Sequence, residues 1–268
     1  MVNPVNFALD FHLSLKAERL FDVGFLHVTN SMLYGLLSTG IIMLTLVWAA
    51  KRIGLHPGRG LAGLVETLVN FVIGMLEAPL GSRELAVKFA PYFGVFFFFV
   101  IGSNLLGLLP FVGSSVYAVV GGEKAPLLRP FTADLNGTIA MSIFAMGLVQ
   151  YLSIREQGIV GHLSHYLPKR WYNPMDIFMS FLEVISEFSK LVSLALRLFL
   201  NTAVGEILIA VFSSFIVSQS RTPLLALPMV IFEVLIAAIQ AYVYLILCAS
   251  YLGVTMSEHR EKLQLAKG

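Results

Sequence analysis

The sequence is poor in charge and almost devoid of cysteine. Only 13% of its 268 residues are Asp, Glu, Lys or Arg, against about 25% in an ordinary soluble domain. So few charges leave too little polar surface to coat a globule in water, whereas lipid solvates an apolar exterior. The single cysteine, Cys248, excludes an internal disulfide and reads as a small filler in an apolar stretch. The net charge of +2, with no basic run interleaved with aromatics, gives no case for nucleic acid as a partner. A glycine loop of the Walker type is also missing, so the chain itself is not expected to bind ATP. Residues 1–22 lack a basic region followed by an apolar core, which argues against a cleavable signal. With Asp10, His12, Lys16, Glu18, Arg19 and Asp22, this stretch reads as an interfacial segment, and residues 1–30 as an external N-terminal segment.

What is present is long apolar runs. A membrane helix needs about 20 such residues, and residues 31–50 supply them without a charge, before Lys51 and Arg52. Asn30 or Ser31 suits the cap. Residues 61–80 carry Glu66, Asn70 and Glu77 among Leu, Val, Phe and Met, which suits an amphipathic helix at the interface. Residues 89–109 form a span with four phenylalanines, Phe96 to Phe99, at its middle and Pro110 at its end. Residues 111–136 read as a Gly-, Pro- and Ser-rich loop. Residues 137–152 read as a shorter span, and 158–174 as a polar connector. An unbroken helical pattern then covers residues 175–217, roughly 60 Å of helix, twice the hydrocarbon thickness of about 30 Å. Such a helix must tilt, bend or leave the bilayer. After a turn at residues 218–222, a second long helix covers 223–257, with Pro228 inside it, and a charged tail covers 258–268. The expected fold is therefore an all-α polytopic membrane protein. It has about five transmembrane helices and one interfacial helix, the last two helices long and tilted, within a membrane domain of residues 31–257.

Basic residues orient it. Lys51, Arg52, Arg59, Arg83, Lys88, Arg155, Lys169, Arg170, Arg260, Lys262 and Lys267 fall on one side. Lys16, Arg19, Lys124, Arg129 and Arg221 fall on the other. The positive-inside rule then puts the C-terminus in the cytoplasm and the N-terminus outside, which five spans satisfy.

Two cations remain inside the first long helix. Lys190 and Arg197 lie seven residues apart and share a face. Lys190 can snorkel to an interface. Arg197 sits mid-pattern, between Leu194-Ala195-Leu196 and Leu198-Phe199-Leu200, where a charge costs about 2.5–3.5 kcal/mol on insertion scales. A paired or pore-facing role explains it better than snorkelling. The same helix bears Asp176, Glu183, Glu187, Asn201 and Glu206, and the last helix bears Glu233 and Gln240 on one face. Glu183 lies about 21 Å before Arg197 along a helix axis and Glu206 about 14 Å after it. Glu183 and Glu187 thus belong toward the cytoplasm, Glu206 and Glu233 toward the outside. A permanent positive charge between two polar zones is what a split ion path needs. Buried, mutually hydrogen-bonded acids are the plainer alternative.

Ser193-Leu-Ala-Leu-Arg197-Leu-Phe-Leu-Asn201 followed by Gly205-Glu206 resembles the signature of the subunit a family of F-type ATP synthases. Phe232-Glu233 to Gln240-Ala241-Tyr242, Ser257-Glu258-His259, Asn104-Leu-Leu-Gly-Leu-Leu-Pro110 and Thr132-Ala-Asp134-Leu-Asn136 are similar to other stretches of that family. The resemblance runs from about residue 61 to 259. It implies a membrane subunit beside a ring of c-subunit hairpins, with b-type peripheral stalk subunits as further partners. It assigns the essential arginine to Arg197, outer half-channel residues to Asn201, Glu206, Glu233 and Gln240, and a cytoplasmic half-channel acid to Glu183. It implies H⁺ as the translocated ion, with Na⁺ left open, no cofactor, no metal and no catalytic residue. It also implies a bacterial inner membrane, with an organellar membrane left open. Two departures stand out: Leu200 where the family often has glycine, and Glu233 where some relatives carry histidine. Two neighbouring carboxyls would titrate as a pair.

Two other classes compete. A secondary ion-coupled transporter also buries Arg and Glu, but the sequence has no inverted pair of broken helices. A membrane enzyme needs a nucleophile or metal set, and His162 and His165 share the connector without a nearby carboxylate cluster.

Overall fold

A computed structural model describes residues 19–23, 26–52, 60–109, 112, 117–120, 123–126, 128–166, 174–218 and 227–265. Six helices carry the fold: α1 Asn30–Ala50, α2 Leu61–Leu80, α3 Arg83–Gly107, α4 Leu135–Tyr166, α5 Pro174–Ser218 and α6 Leu227–Leu265. All six are long and apolar enough to cross a membrane, α2 included. Two small antiparallel hairpins accompany them. Arg19–Val23 (β1) pairs with Leu26–Thr29 (β2), and Tyr117–Val120 (β3) with Glu123–Pro126 (β4). The second hairpin lies in the stretch expected to be loop. The β-favouring residues Tyr117, Val119 and Val120 before a Gly-Gly pair account for it.

Local chemistry sets the helix ends. At the start of α1, Thr29 rather than Asn30 or Ser31 accepts the Met32 amide on its hydroxyl, at 3.3 Å. Helix α2 stops where Pro79 removes a donor and Gly81, at φ 76°, takes the left-handed conformation and bonds back to the Glu77 carbonyl. Helix α3 begins six residues before the apolar span. Ser82 accepts the Leu85 amide at 3.4 Å, and Glu84 stands in the first turn. Its start is polar, so hydropathy alone misses it.

Asp134 caps α4, accepting the Asn136 amide on its carboxylate at 3.1 Å. Helix α4 continues past the span at residues 137–152 and past the expected connector start. It is kinked at Gly158, φ 77° and ψ 162°, and resumes to Tyr166. Arg155 and Glu156 end the apolar run but do not oppose helix, and Glu156 takes the Lys88 ammonium at 2.6 Å. Pro174 opens α5 and Pro228 falls in the first turn of α6, where proline is tolerated. The expected start of that helix at 223 lies outside the described residues. The turn at 218–222 falls almost wholly outside the described residues.

The chain divides into two compact units. One holds residues 1–44, 98–138 and 196–241, and the other 45–97, 139–195 and 242–268. In the first, Phe131 packs edge-on against Phe99 at 5.8 Å and fills the space that side chains at Gly35 and Gly137 would need. The Tyr34 hydroxyl donates to the Ser103 carbonyl at 2.5 Å. In the second, Phe96 meets Phe144 and Tyr244 at 5.9 and 5.8 Å, and Tyr244 donates to the Met141 carbonyl at 3.3 Å. Leu36, Leu44, Phe144 and Phe188 are each more than 60% exposed. That apolar exterior suits lipid or partner helices, not water.

Among the described glycines of the second unit, Gly253 makes the closest approach to another backbone. A Cβ there would overlap the Pro79 carbonyl, a backbone atom that cannot swing aside. Gly253→Ala is expected to destabilise this packing by about 1–3 kcal/mol. Gly94→Ala, whose Cβ would meet only Val72 at 4.0 Å, is expected to be neutral. Thermal unfolding of the two purified variants checks the contrast.

Candidate functional site

In the first unit, α5 and α6 run antiparallel past each other, because Asn201 meets Gln240 while Gly205 meets Glu233. The Asn201 amide donates to Gln240 Oε1 at 2.5 Å. Gln240 is buried, and its Nε2 has no bond to any described atom. A buried amide donor left this way lacks the compensation that buried polar groups normally have. Four residues further along α5, the Glu233 carboxyl lies over Gly205, in the space a side chain there would fill. Glycine at 205 is what admits the carboxyl.

Glu206 and Glu233 both line a cavity of about 40 Å³, together with Asn104, Gly107, Leu108, Pro130 and Thr202. The volume accommodates ordered water. Asn104 accepts the Thr132 hydroxyl at 2.7 Å, and the Thr202 hydroxyl is turned back to the Leu198 carbonyl at 3.1 Å. Arg129, nearly fully buried, places Nη2 3.8 Å from Glu206 Oε2. The structure thus gathers Asn201, Glu206, Glu233 and Gln240 in one unit and adds Arg129. Sequence reasoning counted Arg129 only as an outer loop cation. Its setting in Pro126-Leu-Leu-Arg129-Pro-Phe131 was the available signal, since such an apolar setting argues against a solvated arginine.

Arg197 is half-buried, on the border between buried Leu194, Ala195 and Leu198 and exposed Leu196 and Leu200. Among the described residues it has neither an ion-pair nor a hydrogen-bond partner. Of the two roles open from the sequence, pairing within the chain is therefore not seen there.

Glu183 belongs to the second unit. Between Met175 and Lys190 on α5 the half-buried residues are Asp176, Ser180, Glu183, Ser186, Glu187 and Lys190. All are polar, and their spacing puts them on one helix face. The intervening Ile, Phe, Met, Leu and Val side chains are exposed. This inverts the usual pattern of a soluble helix. Glu187 is held on both oxygens, by Gln150 Nε2 at 3.0 Å and Lys190 Nζ at 2.6 Å. The Lys190 ammonium also lies 5.1 Å over the Tyr251 ring. Among the described residues, no cluster of three His, Cys, Asp or Glu side chains is placed to hold a metal ion.

A family model described as ATP synthase A chain matches residues 32–253. ATP synthase subunit a of Paramagnetospirillum magneticum is 31% identical over 274 residues, covering 97% of this chain and 100% of that protein. Its counterpart in Geotalea uraniireducens is 29% identical over 259 residues, covering 96% of this chain and 99% of the relative. That of Anaeromyxobacter dehalogenans strain 2CP-C is 29% identical over 233 residues. The chain spans about half the length of the Anaeromyxobacter relatives, 56%, 53% and 53% of the three.

The Gly205–Glu233 contact gives a direct test. Gly205→Ala is expected to cost about 1–3 kcal/mol by displacing the carboxyl. Glu233→Ala in the same chain is expected to relieve most of it. A double-mutant cycle on thermal unfolding should show this coupling, and additive effects would contradict the contact.

Proposed function

We propose that this chain, which belongs to the ATP synthase A chain family, is the ion-conducting membrane subunit of a rotary ATP synthase. It is a multi-pass protein of the bacterial inner membrane, in keeping with its six apolar helices and its bacterial relatives. In this reading it holds no active site of its own. Its partners are a c-subunit ring and b-type peripheral stalk subunits, and it passes H⁺. Helix α2 lies at the interface, its Glu66, Asn70 and Glu77 toward headgroups, and the two last helices tilt along the ring.

The observation that carries the reading is Arg197. A guanidinium keeps its charge at any accessible pH. One placed on an apolar membrane helix, with no described acid of its own chain beside it, calls for an anion from outside the chain. A carboxylate presented by a passing ring hairpin supplies it. That carboxylate is held beside Arg197 by a charge-assisted contact. Once protonated it gains far less from the guanidinium and passes into lipid, where the neutral form is favoured. It must therefore lose its proton on one side of Arg197 and regain one on the other. Asn201, Glu206, Glu233 and Gln240 serve the outer path, and Glu183, on the polar face of α5, the cytoplasmic one. The fixed charge opposes direct passage between them, so ion flow proceeds by rotation.

Arg197→Ala is expected to abolish ATP synthesis in vesicles under an imposed ion gradient, with assembly checked separately. Arg197→Lys keeps a charge but loses the planar fork, and is expected to be severely impaired. Near-normal synthesis by an assembled Arg197→Ala complex would refute the mechanism. In a Cys248→Ala background, Glu206→Cys and Glu233→Cys are expected to react with a water-soluble maleimide in intact membranes. If both stay unlabelled in assembled complexes, the outer path runs elsewhere.

A further inference from the structure

We propose that Arg129 is a positioning residue of the outer path, a built-in counter-charge that keeps the Glu206 carboxyl at the cavity it shares with Glu233. This rests on the ion-path reading above and adds a residue to it. The cavity lining includes two acids, Glu206 and Glu233, and no base. Bringing two half-buried carboxyls together without a cation is unfavourable. Arg129, adjacent in the chain to the lining residue Pro130, brings the positive charge to 3.8 Å from Glu206.

Arg129 holds its place by a bond that does not involve Glu206. Its Nη2 donates to the Ala133 carbonyl at 3.2 Å. That carbonyl ends the 3-10 turn Phe131–Ala133, which is closed by the Ala133 and Asp134 amides at 3.0 and 3.3 Å. The turn is fixed by Phe131 against Gly35, Gly137 and Phe99. The anchor is thus the same whether Glu206 carries a proton or not.

The distance matters as much as the pairing. A fork-to-fork arginine bond occupies both carboxylate oxygens. At 3.8 Å the pair is longer than a direct hydrogen bond yet within reach of charge. Glu206 is compensated without being clamped, which suits a carboxyl that must take and release a proton. Among the described residues, a few other groups share its cavity or act on it. They are Glu233 from α6, Asn104 from α3, Thr202 from its own helix and Tyr34 from α1, whose hydroxyl is committed to the Ser103 carbonyl.

The test is passive proton conduction through the assembled membrane sector in vesicles, driven by a potassium diffusion potential and followed across a range of outer pH. Arg129→Gln is expected to lower the flux about tenfold, equal to about 1.4 kcal/mol, and to shift its pH profile. Arg129→Lys is expected to stay within about threefold of the parent. Parent-like flux and profile in assembled Arg129→Gln would overturn the proposal, as would equal loss in Arg129→Gln and Arg129→Lys, which marks a merely structural role. If Arg129→Gln does not assemble, Arg129→Lys decides alone, and its failure to conduct overturns the proposal. Arg197→Ala, assayed in parallel for ATP synthesis, separates the two ideas. Normal synthesis there sinks the ion-path reading itself. A defect there beside parent-like Arg129→Gln sinks only the role of Arg129.

Discussion

A charged group inside a bilayer cannot rely on water, and arginine cannot escape the cost by giving up its proton. Arg197 imposes that condition on the fold around it. Its own helix supplies an apolar setting, with Leu194, Ala195 and Leu198 buried on one flank. No described acid of the chain neutralises it. Several other polar side chains of the helices are paired: Asn201 with Gln240, Glu187 with Gln150 and Lys190, Ser31 with Asp134. Arg197, by contrast, has no such partner among the described residues.

The Glu233 carboxyl at the cavity depends on a different device, close backbone approach. Gly205 lets Glu233 lie against α5, and Gly253 lets α6 meet the end of α2 in the other unit. In membranes, helices associate through close packing and small residues more than through the hydrophobic effect. Both glycines lie on or against the two long helices, where the polar residues also lie. Packing and polar placement are therefore linked. A methyl group at 205 would move a carboxyl as well as a helix.

Much of this was legible in the chain. Apolar runs bounded by charges gave the membrane class, and the Leu-Arg-Leu-Phe wording around Arg197 gave the family. The polar face Asp176-Ser180-Glu183-Ser186-Glu187-Lys190 follows from 3.6-residue periodicity. Less legible were the helix limits. Hydropathy stops at the first charges, but the backbone does not, so α3 and α4 extend through Arg83-Glu84 and Arg155-Glu156. The β3–β4 hairpin was read as loop because a two-stranded ribbon has little periodic signature at this length.

Local sequence by itself determined that this chain is built of apolar helices with an arginine set among them, because burial pattern and charge cost act on neighbouring residues. Tertiary structure alone decided which distant polar groups meet. Arg129 and Glu206 are 77 positions apart by their numbers, and nothing in either neighbourhood names the other. The same holds for Asn201 and Gln240, and for Gly205 and Glu233. The last two pairings arise where α5 crosses α6, and a crossing is fixed by the shape of every side chain along the contact rather than by any local motif.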